Sequence, residues 1–247
     1  MLTEKRQEEI LKLVNKNGSV TVQELKDLFD ASESTIRRDL NALHDMGVLV
    51  KVFGGAVKQE SKIQVKEEKV SLRIEQNREK KEKIAAFAAS LIEPDDFVYL
   101  DAGTTTGAMI PFMEETRATF VTNAVSHALM LAEKGIRVIL IGGEMKAATE
   151  AIVGNEAYRN MQKYNFTKGF FGTNGVDLTA GFTTPDVNEA IVKECAIQHS
   201  EAPYVLCDSG KFHQICPVRF AEFKEAIVVT DCIPDDTYIN VQNMIVV

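Results

Sequence analysis

The sequence predicts two domains: a small helical one closing on a β-hairpin, then a larger α/β one built on a mostly parallel sheet. Three observations carry that expectation. Apolar residues recur at helical spacing through residues 2–44 and then alternate around Gly54-Gly55, a switch from the helix period to the hairpin period. Residues 58–69 are polar, charged and aperiodic, as a connector is. Beyond residue 70, unbroken apolar runs alternate with helical stretches, the pattern of parallel strands covered on both faces. The expected bounds are 1–57 for the first domain, 58–74 for the linker and 75–247 for the second domain.

The first helix is predicted over residues 2–15, with Ile10, Leu11, Leu13 and Val14 set among Lys and Glu, and Asn17-Gly18 ends it. A short extended stretch follows, and Thr21 can cap a second helix over residues 22–29 that buries Leu25, Leu28 and Phe29. After a turn at Asp30-Ala31, Ser32 caps a third helix, and Gly47 is its expected stop. On that helix Ile36, Leu40 and Leu43 form one stripe, while Ser34, Arg37, Arg38 and Asn41 fall on the other side. Hydroxyl, guanidinium and amide groups in that array suit phosphates and base edges in a major groove. The competing reading is a solvated helix face. Residues 48–53 then alternate as a strand, Gly54-Gly55 supplies a turn, and Ala56-Val57 begins the return strand. A hairpin directly after such a helix is a wing, so the unit reads as a winged helix-turn-helix.

Charge permits a nucleic-acid partner without arguing for one. The net charge is −8, yet residues 1–59 carry nine basic and nine acidic side chains, so the deficit lies in the remainder. With 45% hydrophobic and 26% charged residues the chain can bury a core. It has no apolar run of about 18 residues, and its first residues enter an amphipathic helix rather than a signal-peptide core. A cytoplasmic location is expected. Cys195, Cys207, Cys216 and Cys232 have no CxxC spacing and read as buried free thiols. The four histidines are scattered, so no metal and no cofactor is expected.

Val22 to Leu28, the run Ser34-Thr35-Ile36-Arg37-Arg38-Asp39-Leu40 and Gly54-Gly55-Ala56 together resemble the DNA-binding domain of the DeoR family of bacterial repressors. The resemblance implies operator DNA as a partner. Arg38 and Asn41 point most directly outward and are the expected base-edge contacts, Arg37 and Ser34 the phosphate contacts, with Thr35 and Lys51 completing the set. Family members often carry Arg and His in the wing before Gly-Gly, where this chain has Lys51 and Phe53.

In the second domain, apolar strands are predicted at residues 97–100, 120–121, 138–141, 169–171, 204–207 and 226–229, with an edge strand within 241–247. Helices are expected over 81–92, 125–133, 156–164 and 185–199. Ligands of such sheets bind beyond the carboxyl ends of the strands. There the chain places Asp101-Ala102-Gly103-Thr104-Thr105-Thr106, Thr122-Asn123, Gly142-Gly143 and Asp208-Ser209-Gly210-Lys211. Glycine, hydroxyls and a helix start after a strand make an anion cradle; simple turns and helix caps need the same residue types.

These loops also resemble the DeoR C-terminal effector domain, related in fold to ribose-5-phosphate isomerase, along with Gly154, Thr184-Pro185 and Glu189-Ala190. The family usually has a second Ser where Gly210 stands. Lys81 aligns with a basic position that approaches the ligand in the family, with Lys80 as the neighbouring alternative. The resemblance implies a phosphorylated sugar effector held by Lys81, Asp101, Gly103, Thr104, Thr105, Thr106, Thr122, Asn123, Gly142, Gly143, Glu189, Asp208 and Lys211. Overall likeness points to the subgroup that regulates fructose uptake, which makes fructose 1-phosphate the leading effector; tagatose 6-phosphate and other hexose or pentose phosphates stand as alternatives. A sugar-phosphate isomerase fused to a DNA reader is the rival function, since Asp208, Glu189 and Asp101 with Lys211 could serve proton transfer. The attached DNA reader favours a sensor, expected to act as at least a dimer on repeated half-sites.

Overall fold

A computed structural model describes residues 3–45, 48–58, 63–65, 70–114 and 117–247. The chain divides into two compact units, Met1–Ser61 and Lys62–Val247. Gly47, the expected helix stop, and parts of the expected linker lie outside the described residues.

In the first unit, α1 (Thr3–Asn17), β1 (Ser19–Thr21), α2 (Val22–Phe29) and α3 (Glu33–Asp45) precede the strands β2 (Leu49–Val52) and β3 (Gly55–Lys58). Thr21 and Glu24 form a reciprocal cap at the start of α2, the Thr21 amide donating to the Glu24 carboxylate at 2.7 Å and the Glu24 amide to the Thr21 hydroxyl at 3.2 Å. Ile10, Val14, Leu25, Ile36, Leu40, Leu43, Leu49 and Ala56 make one core. Leu28, expected inside, is 60% exposed, because the single buried stripe of α2 is taken by Val22 and Leu25. The Gly-Gly pair also differs from expectation. The turn is Phe53-Gly54, with Gly54 at φ +85°, and Gly55 already belongs to β3. A side chain at Gly55 would come within 2.1 Å of the Val20 carbonyl, so that glycine serves the close approach of β3 to β1.

The second unit runs α4 (Val70–Glu75), α5 (Arg78–Ser90), β4 (Phe97–Leu100), α6 (Thr104–Gly107), β5 (Thr119–Thr122), α7 (Val125–Glu133) and β6 (Val138–Leu140). It continues through the hairpin β7 (Glu144–Lys146) and β8 (Ala151–Val153), then α8 (Gly154–Met161), β9 (Phe166–Gly172), β10 (Gly175–Asp177), β11 (Gly181–Thr184) and α9 (Val187–Gln198). The closing elements are β12 (Ser200–Leu206), β13 (Val218–Ala221), β14 (Ile227–Thr230) and β15 (Met244–Val246). Seven strands form one parallel sheet in the order β15-β14-β12-β9-β4-β5-β6.

Alternate residues of these strands face opposite cores, as a period of two requires. Tyr99, Val121, Phe171 and Val205 pack with Ala157, Met161 and Val192 of α8 and α9. Val98, Leu100, Phe120, Phe170 and Leu206 pack with Ile84, Ala88 and Leu131 of α5 and α7. The small antiparallel sheet β10-β11-β13 was not legible in the sequence; its strands are three or four residues long and too short to show a period. All four cysteines are free, but Cys232 is exposed in the loop after β14, contrary to expectation.

From β4 the chain winds outward to β5 and β6, whereas β9 on the other side leads to β12, β14 and β15. The sheet therefore reverses its winding between β4 and β9, and a crevice opens there at the carboxyl ends.

Candidate functional site

On α3, Ser32 accepts a hydrogen bond from the Thr35 amide at 3.2 Å and lies 2.9 Å from the Ser34 hydroxyl and 2.8 Å from that of Thr35. Ile36, Leu40 and Leu43 are buried, while Ser34, Arg37, Arg38 and Asn41 are exposed and Thr35 is half-buried. Arg37 pairs with Glu33 one turn back at 2.7 Å. Arg38 has no side-chain partner among the described residues. Asp39 turns inward and takes Arg6 Nε at 2.6 Å and Gln7 Nε2 at 3.1 Å. Beside the helix, His44 Nδ1 lies 3.3 Å from the Leu49 carbonyl, tying α3 to the wing, where Lys51 is exposed.

In the second unit, the crevice between β4 and β9 is closed from below by one carboxylate. Asp101 accepts from the Gly172 amide at 2.9 Å and pairs with the buried Lys193, whose ammonium also reaches the Gly172 carbonyl at 3.1 Å. Behind the loop after β4, Asn123 accepts from the Ala102 amide at 2.9 Å and from the Tyr99 hydroxyl at 3.1 Å. Thr122 donates to the Leu100 carbonyl at 2.6 Å, and Thr106 to the Asp101 carbonyl at 2.7 Å. These bonds fix the backbone at Gly103-Thr104 in place.

Above it lies a narrow cleft lined by Arg73, Gln76, Lys81, Gly103, Thr104, Thr105, Gly172, Thr173, Asp208 and Lys211. Asp208 accepts from the Asn77 amide group at 2.9 Å and the Gly210 backbone at 3.0 Å. Lys81 is buried and donates to the Arg73 carbonyl at the end of α4. Burial pushes its ammonium down to about 8; Asp208 opposes that, and the charges of Lys211 and Arg73 reinforce it. Lys80 instead turns to Ser209 at 2.7 Å and Asp231 at 3.1 Å. A second, wider cleft of about 650 Å³ shares Arg73, Lys81, Gly103 and Thr104 and adds His127, Ile74, Phe112 and Met130. His127 is buried with no partner for Nδ1 among the described residues, and burial holds its imidazole down at about 4 against the pull of Asp101.

Residues 6–62 match the family model described as the DeoR-like helix-turn-helix domain, and residues 76–232 match the DeoR C terminal sensor domain. The chain belongs to the DeoR family. It is similar to a protein of Bacillus subtilis (strain 168) named "Uncharacterized HTH-type transcriptional regulator FruR", with 44% identity over 248 residues, covering 100% of this chain and 98% of that one. A lactose phosphotransferase system repressor of Staphylococcus epidermidis is 36% identical over 230 residues, covering 92% and 91%. The IolR regulator of Bacillus subtilis is 32% identical over 236 residues, covering 94% and 93%. Among solved structures, ribose 5-phosphate isomerase A of Methanocaldococcus jannaschii aligns with a TM-score of 0.42 at 15% identity over 56% of this chain and 55% of its own.

In this DeoR-family regulator, the sequence-predicted residues fall into three groups. Lys81, Gly103, Thr104, Thr105, Asp208 and Lys211 line the narrow cleft together. Asp101, Thr106, Thr122 and Asn123 stand behind it and brace its backbone through the hydrogen bonds above. Gly142 and Gly143 lie apart on the exposed turn before β7. A side chain at Gly143 would meet Ile152 at 2.9 Å, so packing accounts for that position. Glu189 is also set back; it accepts from Thr149 at 2.6 Å and Lys146 at 3.3 Å, and Thr149 lines the wider cleft. Sequence reasoning passed over Arg73, Gln76, Thr173, His127 and Lys193. The signal for Arg73 was the helical run at 70–75, which overlaps the end of the expected linker, and Gln76 directly follows that run. His127 and Lys193 carried no local pattern, since only the fold brings them to the crevice.

Proposed function

We propose that this regulator represses a sugar-utilisation operon and leaves its operator when a phosphorylated sugar fills the narrow cleft, fructose 1-phosphate being the leading candidate. Arg38 and Asn41 read base edges, while Ser34, Thr35, Arg37 and Lys51 hold phosphates. The observation that carries the effector reading is the convergence of Arg73, Lys81 and Lys211 beside the Gly103-Thr104 backbone, with Asp208 placed for a sugar hydroxyl. Three cations facing one carboxylate make an anion site. Lys211 has no ion-pair partner among the described residues. The names of the lactose phosphotransferase system repressors fit the same class of operon.

The regulator acts as at least a dimer on paired half-sites, and the ligand shifts operator affinity through its differential affinity for two states, by about 1–3 kcal/mol. A non-enzymatic role is supported by what the carboxylates do. Asp101 is ion-paired with Lys193, Asp208 accepts from Asn77 and Gly210, and Glu189 is held by Thr149 and Lys146. Asp101 and Glu189 are thereby paired within the fold rather than poised as general bases, and Asp208, with one oxygen so engaged, is placed to hold a hydroxyl.

The test is a thermal-shift series with fructose 1-phosphate, tagatose 6-phosphate and pentose phosphates on the full chain. A ligand at 100 times its dissociation constant adds about 2.7 kcal/mol of stability. That gain should vanish in Lys211→Ala. If every sugar phosphate leaves the melting curve in place, or if one is turned over to an isomer, the reading fails.

A further inference from the structure

At the tip of the wing, Phe53 is 108% exposed, a whole aromatic ring in solvent at the turn between β2 and β3. An isolated exposed apolar residue needs no explanation, but this one has three unusual features. First, its platform is braced. β3 pairs with both β1 and β2, Leu49 and Ala56 are buried, and Gly55 sits against the Val20 carbonyl. The ring is thus presented on a pre-organised turn, so seating it costs little ordering entropy. Second, residues 48–58 contain no acidic side chain, and their charged residues are Lys51 and Lys58, both exposed. A surface of that kind suits a phosphate backbone. Third, the wing is continuous with the reading helix through the His44–Leu49 contact and the shared core, within the segment that matches the DNA-binding family model.

We propose that Phe53 is an apolar wedge that enters the operator's minor groove, while Lys51 and Lys58 hold the flanking phosphates. An aromatic ring has no donor or acceptor to read a base edge. It buries apolar surface against sugars and partly unstacked bases, and so favours steps that open easily, pyrimidine–purine steps above all. The wedge therefore adds affinity and a shape preference that the helix contacts do not supply. An apolar contact releases no counterion, so it leaves the salt dependence of binding unchanged, whereas each lost lysine–phosphate contact lowers the slope by about 0.9. The proposal concerns the grip on DNA alone and stands whether or not the second domain senses a sugar phosphate.

The experiment selects duplexes from random DNA with the intact chain, then measures affinity across a range of salt for the unaltered protein, Phe53→Ala, Phe53→Trp and Lys51→Ala. Because the ring touches nothing in the fold, all four should melt alike. Phe53→Ala is expected to bind about ten- to a hundredfold more weakly with the original salt slope. Phe53→Trp should retain affinity, and Lys51→Ala should lower the slope by about one. Unchanged affinity in Phe53→Ala, a loss accompanied by a lowered slope, or a loss explained by weaker self-association in sedimentation (a second copy covering the ring) would overturn it.

Discussion

Arg6 donates to Asp39 at 2.6 Å across the interface of α1 and α3, and both side chains are buried. The Arg37-Arg38-Asp39-Leu40 run therefore splits by face: its arginines leave the fold while its aspartate and leucine hold α3 to α1. Removing one partner of a buried pair strands the other charge and costs about 3–5 kcal/mol. Asp39→Ala should accordingly abolish hydrogen-exchange protection in α1 and α3, while protection of the seven-stranded sheet stays as before. The double change Arg6→Met with Asp39→Leu should recover most of it.

The two arginines should separate by what they lose. Arg38 is exposed and without a partner among the described residues, whereas Arg37 already leans on Glu33. Arg38→Ala is expected to abolish operator binding with no change in melting temperature, a bidentate base contact being worth about 1–3 kcal/mol of discrimination. Arg37→Ala should weaken operator and unrelated duplexes alike. Competition footprinting distinguishes the two outcomes; an Arg38→Ala chain with unaltered sequence preference would reassign that contact.

Much of the architecture was legible because its signals are local. The capping residues Thr21 and Ser32 mark helix starts, and the apolar runs predicted at 97–100 and 226–229 fall on the largely buried strands β4 and β14. The narrow cleft was legible in its loops, since Gly103, Thr104, Asp208 and Lys211 stand directly after strands. What escaped was long-range. Lys193 lies 92 residues from the Asp101 it pairs with, and neither residue signals the other. Leu28 escaped for another reason: a helix of eight residues has room for only one buried stripe, and Val22 and Leu25 already fill it.

Lys81 gives the proposed effector site a pH dependence of defined sign. Its ammonium is held down to about 8, chiefly by burial. A phosphate dianion needs that ammonium charged, so affinity should be level below pH 7.5 and fall as pH rises through 8, by about tenfold per unit at most. Calorimetric titration of a sugar phosphate from pH 7 to 9.5 would record it. Lys81→Arg, charged throughout, should bind without that fall.

His127 should make the second domain acid-sensitive. Burial lowers its imidazole to about 4 from an ordinary value of 6.5. Below pH 6.5 the unfolded chain takes up a proton that the folded chain refuses. The contribution to stability is thus complete above 6.5 and is lost as pH falls toward 4, by roughly 3 kcal/mol in all. Urea unfolding between pH 7 and 4 should show a shallower acid decline for His127→Leu than for the unaltered chain; parallel curves would count against the assignment.

The proposed linkage between ligand and operator is read directly by equilibrium binding of the full chain to its own promoter DNA while fructose 1-phosphate is titrated in. A coupling of 1–3 kcal/mol corresponds to a loss of affinity of about 5- to 150-fold, and Lys211→Ala should keep its hold on DNA throughout. An affinity that no phosphorylated hexose or pentose alters would contradict the account.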